Sequence, residues 1–394
     1  MNIPSYSIKI IKKETLMRRK VSGVLATLVG ALSFISTVHA KDIVVGQATA
    51  LTGALASSGV PMRLGAQVCF DAVNATGGIN GHQIKFISKD DQYKVEETVR
   101  LVKEFVEKDD AVVLLGGSGT SNNEELLRQK ILQNADIALV GPRTGATALR
   151  KPFNPYMFHV RASYAQEVEK GLNYYLTSGT KRIGIVYQDD GLGQDGLAAA
   201  QNFLANEKIE PAFTTTYERN SIKVEEAVKK ALSSNAQAIL LVMTSAPAAA
   251  FVKLYRESEG NAQLMTLSNV DADTVIKNAG LHNAHGLAIT TVFPSPTRVE
   301  IPVVKEYRAN LAKYGPKDAQ PSIVSLEGYI AAKVIVEAVK RAGANVTREN
   351  VMHSLESLSK TEIGGYRVDF GSKSRMGSTY VDMSIINKNG AVIR

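Results

Sequence analysis

The stretch DIVVGQATALTGALASSG (Asp42–Gly59) decides how the rest of the chain is read. Its first eight residues are an apolar, β-rich run. The small residues that follow, ATALTGALASSG from Ala48, lead as a loop into a helical pattern that starts near Pro61. A buried strand, a short polar loop and a helix make the opening unit of a doubly wound α/β fold. A second loop of the same kind, LLGGSGTSNN (Leu114–Asn123), sits in the same setting. Such loops can cradle a phosphate, which requires G-x-G-x-x-G or G-x-x-x-x-G-K-[ST]. Gly117 and Gly119 begin the first pattern, but Asn122 fills its last place, and neither loop contains G-K-[ST]. What remains is a set of hydroxyls and free N–H groups at helix starts, which suits an anionic or polar ligand group.

Working outward, strands QIKFISKD, AVVLLGG and ALVGP alternate with helices near 61–74, 95–108 and 122–134. The alternation resumes with RIGIVYQD, AFTTTYE, AILLVMT, QLMTLSN and GLAITTVF, separated by helices near 192–206, 224–234, 247–259 and 272–277. Two consecutive α/β sets of this kind imply two parallel sheets with right-handed crossovers. Beyond Pro294 three helices follow in succession, the last capped by Thr347, before strands return as GGYRVDF and YVDMSIINKNGAVI. The turn residues of ATGGINGHQIKF (Ala75–Phe86) predict a hairpin.

The first forty residues read as a secretory signal peptide: Arg18, Arg19 and Lys20, an apolar run from Val21 to Val38, and a small-residue cleavage pattern ending at Ala40. Serines, threonines and glycines dilute the run below what a membrane anchor needs. Cleavage after Ala40 removes six basic residues and one acid, so the formal charge of +8 falls to +3. That is too mild a charge for a nucleic-acid footprint. The remaining 354 residues exceed one ordinary core and fit two lobes. Cys69 is the chain's one cysteine, so no intramolecular disulfide forms, and its helical setting favours a small buried role.

Catalytic and metal chemistry find little to build on. Of the five histidines after residue 40, only His282 and His285 are close in sequence, and no Cys or acid adjoins them in a metal-ligand pattern. G-x-S-x-G is absent from the mature chain. Asp90-Asp91 and Asp189-Asp190 stand at strand ends, an enzyme-like position, but helix capping explains such pairs more simply. The reading is therefore no cofactor, no metal, no catalytic residue and no nucleic-acid partner. An exported hydrolase of doubly wound fold is kept as a rival.

The blocks LTGALASSGVPMRLGAQVCFDAVNATGGINGHQIKFISKDD, GPRTGATALR, VYQDDGLGQDGL and SLEGYIAAKVIVEAV, in this order, resemble the leucine/isoleucine/valine-binding family of periplasmic solute receptors. The resemblance spans the whole mature chain. It implies a type I periplasmic binding fold, with two doubly wound lobes joined by three crossings that close on a small-molecule ligand. It further implies delivery to an ABC transporter permease by a monomeric periplasmic receptor that is not membrane-anchored; an amide-type ligand sensor is the alternative. On that template lobe 1 holds residues 41–160 and 292–371, and lobe 2 holds 161–291 and 372–394. The crossings fall near His159–Ser163, Val292–Pro294 and Phe370–Ser374, where hinges are expected.

The family's carboxylate site carries over to Ser118, Thr120 and Thr144, with Ser58 facing the cleft and Arg143 added to the pattern. Tyr164 follows the first crossing, while Leu192 and Ser245 fall near positions where the family has aromatics. Where amino-acid receptors of the family place an acid for the ligand's ammonium, this chain has Ser268, followed by Asn269. A buried ammonium without a carboxylate carries a large desolvation cost. The α-amino acid therefore needs Asp271, Asp189 or Asp190 to supply the charge. The family's small disulfide loop is missing, with Tyr93 and Gly119 near its cysteine positions.

Overall fold

The computed structural model describes residue 1, residues 41–371 and residues 373–393; the signal peptide and the cleavage after Ala40 lie outside the described residues. Among the described residues no helix is long and apolar enough to cross a membrane.

Five parallel strands build the first sheet: β1 (Ile43–Thr49), β2 (Ile84–Asp90), β3 (Val113–Leu115), β4 (Leu139–Val140) and β5 (Met157–Phe158), in the order 2-1-3-4-5. The second sheet repeats that order with β6 (Ile183–Gln188), β7 (Phe213–Tyr217), β8 (Ala238–Val242), β9 (Gln263–Thr266) and β10 (Ala288–Thr291), all parallel. Antiparallel β13 (Asp382–Ile386) and β14 (Val392–Ile393) then extend it beyond β10, while β11 (Thr361–Ile363) and β12 (Tyr366–Val368) pair only with each other. The central strands β1, β3 and β8 are buried along their length, as strands covered on both faces must be.

Helices α1 (Ala56–Asn74), α2 (Val95–Glu107), α3 (Thr120–Arg128) and α4 (Ile131–Ala135) belong to the first α/β set, and α5 (Tyr164–Thr177), α6 (Gly191–Asn206), α7 (Glu225–Leu232), α8 (Ser245–Glu257), α9 (Ala272–Ala279) and α10 (Leu281–Ala284) to the second. The late helices α11 (Pro302–Tyr314), α12 (Ile323–Ala342) and α13 (Arg348–Glu356) return to the first sheet; α12 lies along α1 and touches β3 and β4. One apolar cluster joins a face of the first sheet to α1 and these late helices. A second passes from the other face, through Tyr164, Val168 and Leu172 of α5, into the second sheet, and a third fills that sheet's far side.

Three segments connect the sheets: 159–163, 292–301 and 369–381. They lie side by side. His159 bridges Met376, and the Tyr366 hydroxyl donates to the carbonyls of Val160 at 2.6 Å and Val292 at 3.4 Å.

Three local expectations change. The helix expected from Pro61 already begins at Ala56, after a 3-10 turn at Gly53–Leu55, so half of the supposed loop is helical. Gly59 permits this, because a Cβ there would lie 1.9 Å from the Ala50 carbonyl oxygen. The helix expected over 122–134 breaks in two at Lys130, whose φ is 54°. The turn at Asn80-Gly81 closes only the Ile79–His82 bridge, since β2 beyond it pairs parallel with β1 rather than folding back. Cys69 is buried as expected, and burial pushes its thiol pKa up.

Candidate functional site

In each sheet the order reverses direction at the first strand: β1 sits between β2 and β3, and β6 between β7 and β8. Chain leaving the carboxyl ends of β1 and β3 heads to opposite faces and opens a crevice, as it does for β6 and β8. These loop ends meet around a cavity of about 20 Å³, the space of about one water molecule. The first sheet's side supplies Leu55, Ser58, Tyr93, Ser118, Gly119 and Arg143. Tyr164, Leu192, Thr244 and Asn269 face them from the second.

Ser118 and Arg143 form an isolated parallel bridge that continues the pairing of β3 and β4, with the Arg143 N–H donating to the Gly117 carbonyl at 3.0 Å. Their side chains are thereby held together at the crevice. Gly119 has φ 110°, a conformation that glycine tolerates, and turns the chain into α3. A Cβ on it would meet the Tyr93 ring at 2.6 Å, so the two positions matched to the family's cysteines are indeed neighbours.

Three buried polar atoms of the lining have no hydrogen-bond partner: Ser118 Oγ, Arg143 Nε and Asn269 Oδ1. Asn269 is fixed by its own Nδ2, which donates to the Met243 carbonyl at 2.5 Å. Arg143 reaches Glu327 Oε2 at 3.7 Å without a hydrogen bond. Glu327 in turn accepts from Arg161 Nη1 at 3.2 Å, and Arg161 lies 3.5 Å from Glu167 Oε1. Burial presses the Arg143 guanidinium below its usual pKa, against the pull of Glu327. Burial acts on Arg161 too, but Glu327 and Glu167 outweigh it and raise its pKa. Four alternating charges thus run from the crevice through the first connecting segment into α5.

Of the residues expected to bind, Ser58, Ser118, Arg143 and Tyr164 line the cavity. Thr120 and Thr144 lie outside the lining and bond each other, Oγ1 to Oγ1 at 2.8 Å. Ser245 Oγ accepts from the Asp271 N–H at 3.0 Å. Ser268 donates to Glu167 from its N–H at 2.8 Å and its hydroxyl at 2.9 Å, and also meets Arg161. It borders a different hollow, of about 570 Å³, shared with Asp271, Thr290 and Arg298. A still larger hollow, about 850 Å³, is lined by Tyr366 and Tyr380 among others, and among the described residues neither of these two is lined by an unpartnered buried polar atom. A third, about 200 Å³, is bordered by Arg150, His159 and Arg375, and Arg150 Nε and Nη1 and His159 Nδ1 are buried without a hydrogen-bond partner.

The paired acids are structural. Asp90 gathers the N–H groups of Leu51, Thr52 and Gln92 and the Thr52 hydroxyl, bonds that overcome burial and lower its pKa. Asp190 caps α6 and Asp271 caps α9, while Asp189 is exposed. No carboxylate lines the cavity. The buried His159 ring bonds the Leu149 carbonyl at 3.3 Å and does not line the cavity.

Sequence reasoning left Leu55, Thr244 and the Arg161, Glu167 and Glu327 charges out of the site. Glu327 had a signal, a lone acid in the apolar run SIVSLEGYIAAKVIV. Glu167 had none, for it sits in an ordinary amphipathic pattern.

Residues 42–391 match the sequence model of the periplasmic binding protein family. An amino acid binding protein of Pseudomonas aeruginosa is 24% identical over 326 residues, covering 82% of this chain and 85% of that one. A Leu/Ile/Val-binding protein of Rhizobium johnstonii is also 24% identical, over 364 residues, covering 90% and 94%. The crystal structure of a substrate-binding periplasmic protein from Ralstonia solanacearum superposes with a TM-score of 0.86 at 40% identity, covering 89% of this chain and 99% of that chain. With two repeated sheets, a crevice between them and a family match over nearly all the described residues, this chain belongs to the periplasmic binding protein family.

Proposed function

We propose that this protein is an extracytoplasmic receptor that captures a small polar or anionic solute, an amino acid or a related carboxylate or amide, between its two lobes and delivers it to an ABC importer. The observation that carries the proposal is the trio of buried, unpartnered atoms at one crevice: Ser118 Oγ, Arg143 Nε and Asn269 Oδ1. Leaving such a group unpaired costs about 1–3 kcal/mol, a cost that a bound solute removes. The lobes divide at the connecting segments 159–163, 292–301 and 369–381, which act as hinges. Closure brings Tyr93 against Gln188 and Arg219 and so reports occupancy to the importer.

A thermal-shift screen of residues 41–394 against amino acids, amides, carboxylates and aromatic acids tests the reading. A saturating solute raises the melting midpoint, since a ligand at a hundred times its Kd adds about 2.7 kcal/mol. No shift across the panel, together with turnover of an ester or amide, contradicts it.

A further inference from the structure

Three arginines, Arg143, Arg150 and Arg161, and two glutamates, Glu167 and Glu327, are buried around the crevice. Glu167 is saturated: it accepts from Ser268 twice, from the Thr290 hydroxyl at 2.6 Å, and pairs with Arg161. Glu327 bonds Arg161 at 3.2 Å and reaches Arg143 only at 3.7 Å. Arg150 spends one nitrogen on the carbonyls of Thr144, Arg161 and Ala162. The guanidinium that lines the cavity therefore has a shared and distant counter-ion. No carboxylate in the lining could receive an ammonium, which would be desolvated beside Arg143 at a cost of several kcal/mol.

Asn269 Oδ1 adds the second requirement. It is an acceptor without a donor, in a residue only 7% exposed, whose amide is oriented by the Met243 carbonyl. A neutral O–H or N–H satisfies it without bringing charge into the arginine cluster. At about 20 Å³ the cavity holds no more than a water with the two sides this close, so a solute enters only when they part; Leu55 and Leu192 are then the apolar side chains that face its carbon chain.

We infer that the solute is a small carboxylate that carries a neutral hydrogen-bond donor, a hydroxyl or an amide, in place of an ammonium. This rests on the receptor reading above. Arg143 and Ser118 hold the carboxylate, and Asn269 selects the neutral donor.

Calorimetric titration of residues 41–394 with matched sets tests this: alanine, valine and leucine, their 2-hydroxy analogues, and the acids lacking both groups. The ammonium-free carboxylates bind, with the best hydroxy acid at least about tenfold tighter than its amino acid, since a charge or donor mismatch at a buried site is costly. Arg143→Gln weakens every carboxylate by roughly 10- to 100-fold, and Arg143→Lys restores part of it. Asn269→Ala lowers the hydroxy acid to the level of the plain acid and leaves the plain acid unchanged; a merely structural asparagine would lower both. Circular dichroism confirms that each variant is folded. An amino acid that binds as tightly as every ammonium-free carboxylate overturns the inference and leaves the receptor standing. Silence across these sets and the wider panel overturns both.

Discussion

The two sheets share one strand order and present opposite kinds of edge to the crevice. On the second sheet's edge the fold answers many polar groups: Asp190 caps α6, Asp271 caps α9, Ser245 bonds Asp271 and Glu167 holds Ser268 and Thr290, while Asp195 Oδ1 and Arg219 Nε, outside the cavity lining, stay without a hydrogen-bond partner. Asn269 Oδ1 is the exception in its lining. On the first sheet's edge Ser118 Oγ and Arg143 Nε lack hydrogen-bond partners. Within the lining the first sheet thus supplies two unanswered groups and the second one, Asn269. Substituting the answered Glu167 should cost stability, and substituting the unanswered Ser118 should cost binding.

The largest expected effect is at Glu167. Glu167→Ala leaves Arg161 buried with half its counter-charge and removes the acceptor for Ser268 and Thr290, for a loss of about 3–5 kcal/mol in denaturant unfolding. A loss under about 1 kcal/mol would show that this edge is not held by its charges.

Next is pH. Burial pushes the Asp91 carboxyl up to about 6, with the Thr98 hydroxyl and Tyr93 N–H pulling the other way. The unfolded carboxyl titrates near its ordinary value, so between about pH 4 and 6 the folded state holds the proton and the unfolded state does not. Stability from this residue therefore falls as pH rises through that window, by at most about 3 kcal/mol. Asp91→Asn flattens that slope in melts taken from pH 4 to 7, and an unchanged slope counts against it.

Across the crevice Arg219 stacks on Tyr93 with its guanidinium carbon 4.0 Å from the ring centroid and donates to the Tyr93 carbonyl at 2.9 Å and Asn122 Oδ1 at 2.7 Å. Arg219→Ala removes about 1–2 kcal/mol from closure. The solute then leaves about 5- to 30-fold faster in stopped-flow measurements, with little change in unfolding. The smallest stability change is at Ser118: Ser118→Ala alters it by less than about 0.5 kcal/mol, because no bond is lost, yet weakens the solute by about tenfold in calorimetry.

The fold was legible because β-rich runs alternate with helical patterns from Ile43 to Phe293, and the break after Pro294 marks the return of the chain to its first sheet. Local limits were harder to see. Gly59 reads as loop glycine in sequence, whereas its role is to let α1 start against the Ala50 carbonyl, a contact between distant atoms. Of the residues expected from the two loops, Ser118 and Arg143 line the cavity, whereas Thr120 and Thr144 turn away from the lining and bond each other. Ser268 could not be placed from its loop, because its partner Glu167 lies 101 residues away and only the fold joins them. Thr244 and Asn269 line the cavity for the same reason, through loops that meet only after both sheets form.

The most direct test compares the rise in melting midpoint produced by the best solute of the screen in the native sequence and in the Ser118→Ala, Arg143→Gln double variant. The account predicts a clear rise in the first and almost none in the second, both starting folded. Equal rises in the two would place the solute elsewhere and contradict the assignment of this crevice.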